Sequence, residues 1–123
     1  MNRPTRKEIA NKIRDAKIAV SENRIEIVES IAITTDAIEL DYDVGTELIS
    51  ILQSLLNEIS PENYAGTHPP QKSYEIAISG FEVFAFAVQS SHFGCKVYLK
   101  FAVTDGKFWL VSLHTNRPKK EKK

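Results

Sequence analysis

Five side chains near the C-terminal end of the chain carry groups that bind a phosphate and move protons: Lys96, Tyr98, Lys100, Ser112 and His114. They lie in the run KVYLKFAVTDGKFWLVSLHTNR, residues 96–117, which reads as a β-hairpin. On its first arm the odd positions are apolar (Val97, Leu99, Phe101, Val103), and on its second arm the odd set is Trp109, Val111 and Leu113. Successive strand residues point to opposite faces, so the polar groups of the two arms meet only if the turn sets the right register. A two-residue Asp105-Gly106 turn would pair Thr104 with Lys107 and mix polar with apolar side chains on both faces. A three-residue turn, Thr104 to Gly106, pairs Val103 with Lys107 and puts Gly106 in the left-handed position of a G1 bulge. That register backs an apolar odd face with a polar even face, and burial of the apolar set is expected to select it.

This even face has the parts for cleaving RNA without a metal. A base removes the 2′-hydroxyl proton, an acid protonates the departing 5′-oxygen, and cations stabilise the charged phosphorane. Histidine, with a reference pKa of about 6.5, suits either proton-transfer role near neutral pH. His114 is therefore the candidate acid or base, and Tyr98 positions the 2′-hydroxyl or stacks on a base. Lys100, with Lys96 nearby, stabilises transition-state charge. Arg117 is suited to a bidentate phosphate contact. The same residues also have structural roles: a tyrosine on a half-buried strand packs, and alternating lysines protect exposed strands from aggregation.

The rest of the chain must position that hairpin. Thr5-Arg6-Lys7-Glu8 is a capping box, and Ile9, Ile13, Ala16 and Val20 follow at helical spacing, predicting a helix over residues 5–20. Ser21-Glu22-Asn23 reads as a break. Ile25, Ile27, Ile31 and Ile33 suggest short extended pieces, and Thr34 or Thr35 a cap for a helical turn through Ile38 to Leu40. After the turn-like Asp41 to Gly45, Thr46 caps a second helix with the stripe Leu48, Leu52, Leu55 and Ile59, widened by Ile51 and Leu56. Residues 60–71, with three of the five prolines, form a loop of a length often tied to function. Strands are expected at Tyr74 to Ile78 and Phe81 to Gln89, with a turn at Ser90 to Cys95. Helices first and strands later imply an α+β fold, an antiparallel sheet with N-terminal helices packed on one face.

A chain of 123 residues suits one domain, expected over residues 1–117, with 118–123 a charged, disordered tail. The single Cys95 excludes an internal disulfide and fits a reducing cytoplasm, and no apolar run reaches the length of a membrane span. Net charge is zero but segregated: residues 25–71 hold nine acids and no Lys or Arg, while residues 72–123 hold nine Lys or Arg against four acids. The basic part suits a polyanion; the acidic part suits a basic partner or is a solvated face. His92 and Cys95 are two possible metal ligands, or a thiol with its base, and His68 would have to join them by folding. Zinc needs three or four ligands, so no metal and no cofactor is expected.

The passages LDYDVG opening an apolar helix, NYAG about fifteen residues after it, and above all VYLKFAV with LVSLH resemble the motility quorum-sensing regulator toxin family, within the RelE-like fold. The resemblance implies a bacterial messenger-RNA-cleaving toxin neutralised by a cognate antitoxin protein. It implies Tyr98 as an active-site residue, followed by Lys100. His114 stands where the family has a lysine, although other RelE-like ribonucleases use a C-terminal histidine. A second family lysine lies in the loop after the second helix; with no Lys or Arg from residue 25 to 71, that role is missing or moves to Lys72. The family's glutamine is matched by Gln71 or Gln89. The alternative reading is a non-catalytic RNA-binding or protein-interaction module on the same fold. A third is an α+β domain binding a small ligand between helices and sheet.

Overall fold

A computed structural model of the chain describes residues 5–65 and 82–115. The capping box at Thr5 forms: its hydroxyl accepts from the Glu8 amide at 3.1 Å, and the Glu8 carboxylate accepts from the Thr5 amide at 2.8 Å. It opens α1 (Arg6–Ser21), which buries the expected stripe Ile9, Ile13, Ala16 and Val20, together with Ala19. Asn23, at φ 60°, turns the chain through a left-handed position that asparagine tolerates, and β1 (Ile25–Ile27) follows.

Ile25 and Ile27 are extended as expected, but Ile31 and Ile33 are not. They belong to α2 (Ser30–Leu40), which begins ahead of Thr34 and Thr35. The Thr35 hydroxyl donates to the Ile31 carbonyl within the helix, at 2.9 Å, instead of capping it. Burial decides the matter over β-branched propensity: Ile33, Ala37 and Leu40 lie at offsets of four and seven and are buried together. Asp41, at φ 64°, ends the helix.

The next helix, α3 (Val44–Glu58), starts before Thr46 because Asp43 caps it. The Asp43 carboxylate accepts from the Gly45 amide at 2.9 Å, while Glu47 accepts from the Asp43 amide at 2.8 Å. These paired bonds satisfy two donors, which a Thr46 cap would have left to the preceding turn. Leu48, Ile51, Leu52, Leu55, Leu56 and Ile59 are all buried. A 3₁₀ turn, Pro61–Asn63, leads to Tyr64, which bridges to Phe86.

Three more strands complete the sheet: β2 (Phe84–Ser90), β3 (Cys95–Thr104) and β4 (Lys107–Thr115). The expected strand Tyr74 to Ile78 and the tail 118–123 lie outside the described residues. Strand order is β1-β4-β3-β2. β2, β3 and β4 are antiparallel neighbours, but β1 runs parallel to β4, so the sheet is mixed and not antiparallel throughout. Alternation in a three-residue strand tells which side chains face inward, not which strand lies beside it. The α+β class therefore holds, with three α-helices among the described residues instead of two.

The helices and one sheet face share a core in which Phe86, Phe101 and Phe108, one from each of β2, β3 and β4, stack in a row. The neighbouring ring centroids are 5.6 Å and 4.9 Å apart. Among the described residues no helix is long and apolar enough to cross a membrane.

Candidate functional site on the outer face of the sheet

The turn of the β3–β4 hairpin has two residues, not three. Thr104 pairs with Lys107, and Asp105 and Gly106 are both left-handed at φ 56° and 74°. Both positive values mark a type I′ turn, whose twist matches that of the strands it joins. By itself this register would send Ser112 and His114 into the core. They stay out because the ladder slips once. Phe101 pairs with Leu110, but Lys100 pairs with Ser112, so Val111 is an extra residue in a β-bulge.

The two-residue turn also corrects the expected apolar face. Phe108 and Leu110 fill the core beside Phe101 and Val103, while Trp109 and Val111 turn to the opposite face. There they pack with Val28, Val83 and Ala102 in a small second cluster. Leu113, beyond the bulge, takes its expected place in the core opposite Leu99. The second arm thus needs one face assignment before Val111 and the other after it.

Past the bulge the expected polar constellation assembles. Tyr98 pairs directly with His114, and Lys100 directly with Ser112. Directly opposed side chains have Cβ atoms about 5 Å apart, and diagonal ones about 7–8 Å, so Lys100 is within reach of whatever His114 touches. The Tyr98 and His114 rings stack with centroids 5.1 Å apart and planes 22° from parallel. On the β2 side, Ala87 lies opposite Tyr98 and Ala85 opposite Lys100. Ala87 sets only a methyl group beside the Tyr98 ring, and Ala85 is itself buried. Lys96, exposed, pairs with Gln89 on the same face, which makes Gln89 the glutamine nearest this group among the described residues.

Two details define what the group can do. His114 Nδ1 is 2.7 Å from the Thr115 carbonyl. A carbonyl only accepts, so this contact places the proton on Nδ1 and leaves Nε2 as the lone-pair nitrogen of the neutral ring. Burial pushes the Tyr98 hydroxyl above its ordinary range, keeping it a neutral hydrogen-bond donor. Among the described residues the ion pairs are Arg6–Glu62, Arg24–Glu22 and Lys107–Glu26. Neither Lys96 nor Lys100 takes part in one. An aromatic donor, an imidazole whose Nδ1 is held by a backbone carbonyl and two ammoniums thus share one face, the set needed to hold an anion and shuttle a proton.

Arg117 and Lys72, the other expected phosphate contacts, lie outside the described residues, as do Gln71 and His68. His92 is exposed, its ring edge-on to Phe93 with centroids 4.7 Å apart, and Cys95 is half-buried at the start of β3. Among the described residues no three of His, Cys, Asp and Glu gather as a metal site would require. Sequence reasoning missed Ala85, Ala87 and the bulge. The bulge had a signal, four consecutive apolar residues from Phe108 to Val111, which strict alternation cannot produce.

No protein-family model matches the chain, and no curated protein matches it.

Proposed function

We propose that the chain is an RNA-cleaving endoribonuclease toxin of a bacterial type II toxin–antitoxin system, RelE-like in fold, acting on messenger RNA in the cytoplasm and neutralised by a cognate antitoxin. The observation that carries this reading is the stacked Tyr98–His114 pair, with Nδ1 tied to a carbonyl and, on the same face, two lysines in no ion pair among the described residues. The likeness of VYLKFAV and LVSLH to the motility quorum-sensing regulator toxins supports it.

In this reaction the 2′-oxygen attacks phosphorus while the bond to the 5′-oxygen breaks, leaving a 2′,3′-cyclic phosphate and a 5′-hydroxyl. His114 Nε2 takes the 2′-hydroxyl proton as a base while water protonates the 5′-oxygen, or, in the imidazolium form, delivers a proton to the 5′-oxygen while water takes the 2′-hydroxyl proton. Lys100 and Lys96 face the growing negative charge on the phosphoryl oxygens, and the Tyr98 phenol donates to the ribose or the phosphate. The flat Tyr98 ring and the cations also suit single-stranded RNA, which proteins hold by stacking and backbone charge.

The test is a defined RNA incubated with purified protein in chelator, with and without ribosomes, beside the His114→Ala variant. Wild-type protein should yield cyclic-phosphate ends and fail on RNA carrying a 2′-deoxy substitution at the scissile nucleotide. His114→Ala should lose on the order of 100-fold or more in rate. RNA left intact by wild-type protein under both conditions overturns the enzyme reading. Salt-sensitive binding without cleavage would instead favour the non-catalytic RNA-binding reading, for which the lysines alone suffice.

A further inference from the structure

Among the described residues the most exposed large apolar side chains are Ile38, at 77%, and Ile31, at 74%. Both are on α2, seven residues apart, so they stand on one helix face, nearly opposite the buried Ile33, Ala37 and Leu40. α2 is thus apolar on two sides, a pattern expected of a helix covered on both. The rest of the outward stripe is Thr34 and Thr35, which are small enough for a neighbouring helix to approach.

Charge decides the occupant. Residues 25–71 contain nine acids and no Lys or Arg. Glu29 caps one end of α2 and Asp41 the other, with Glu39 beside Ile38. A second copy placed α2 against α2 would set acid against acid. A basic helix would set its lysines or arginines against Glu29 and Asp41 while burying Ile31 and Ile38.

We infer that the outward face of α2 docks a basic amphipathic helix of another protein, with Ile31 and Ile38 as the apolar anchors. This surface is separate from the Tyr98–His114 face and does not depend on RNA cleavage. Its partner is defined by chemistry: apolar residues at offsets of three, four and seven, flanked by Lys or Arg.

The probe is a fluorescent peptide about 18 residues long, five helical turns, with a leucine stripe and lysines on the remaining positions. Its counterpart carries glutamate for lysine. Binding is read by anisotropy, and the contact surface by amide chemical shifts. The lysine peptide should bind wild-type protein and shift amides of α2, and the glutamate peptide should not bind. Ile31→Ser combined with Ile38→Ser should weaken binding roughly tenfold or more. Both positions are exposed, and serine has a helix propensity close to that of isoleucine. Should that variant misfold, Glu29→Gln with Asp41→Asn removes the charge and leaves the isoleucines, and should weaken binding and reduce its salt dependence. Undiminished binding by the altered proteins, shifts confined to another face, no binding by wild-type protein, or wild-type self-association through α2 would each overturn the inference.

Discussion

At the scale of single residues, the Tyr98 hydroxyl and the His114 imidazole have different expected signatures. Tyr98→Phe keeps the ring stacked on His114 and removes only the donor. It should leave the thermal midpoint nearly unchanged and slow RNA cleavage about tenfold, the worth of one hydrogen bond of about 1.4 kcal/mol. A variant cleaving at the wild-type rate would restrict Tyr98 to packing. Tyr42 offers a test of burial alone. Its ring lies 5.9 Å from Phe93, its hydroxyl is buried without a hydrogen-bond partner among the described residues, and burial, with Asp36 nearby, pushes its pKa from 10.0 up to about 12. The folded state disfavours the phenolate, so ionisation of Tyr42 takes nothing from stability below pH 10 and lowers it as pH rises from 10 toward 12. Tyr42→Phe should stabilise the protein by about 1 kcal/mol at neutral pH and flatten the decline between pH 10 and 12, both read by chemical denaturation. The candidate residues themselves were legible from their types and parity. The ring stack and the Nδ1 contact were not, because they depend on rotamers and on a neighbouring carbonyl that no spacing rule encodes.

At the scale of elements, the decisive devices are a turn and a bulge. Gly106 sits at φ 74°, and a Cβ there would meet the Arg24 guanidinium only at an ordinary 3.5 Å, so the cost of a side chain is conformational. Gly106→Ala should destabilise by about 1 kcal/mol in urea unfolding. Asp105→Asn, at φ 56°, should be neutral or stabilising, since asparagine is favoured at that position of a type I′ turn. Deleting Val111 would remove the extra residue and still leave Phe101 opposite Leu110 and Lys100 opposite Ser112. The polar face should survive that deletion, with contacts between the Tyr98 and His114 rings retained in the NMR spectrum. Their loss would show that the bend, and not the register, assembles the site. The stripes of α1 and α3 were legible because their apolar spacing admits one structure. α2 was misread because Ile31 and Ile33 alternate like a strand while Ile33, Ala37 and Leu40 recur like a helix, and only the core distinguishes the two. The four apolar residues Phe108 to Val111 signal a break in alternation but do not place it, because each of them can satisfy either face.

At the scale of the whole molecule, zero net charge conceals an acidic stretch and two flanking basic ones. RNA binding through the outer sheet face should weaken with salt despite that neutrality. Lys96→Ala and Lys100→Ala should each reduce the slope of log affinity against log salt by about 0.7, the value for one contact to a single strand. Slopes equal to wild type would move the phosphate path away from this face. The sheet's parallel pair has a consequence for how the protein is made. β1, at residues 25–27, has its ladder partner at residues 108–110 of β4, which also completes the pairing of β3. The helices can therefore form early in synthesis, but β1 has nothing to join until nearly the whole described chain has emerged. Closing so long a loop makes folding slow compared with a chain of local contacts. The groups proposed to cleave RNA come together in that same late step, so a nascent chain has no such surface until β4 has left the ribosome.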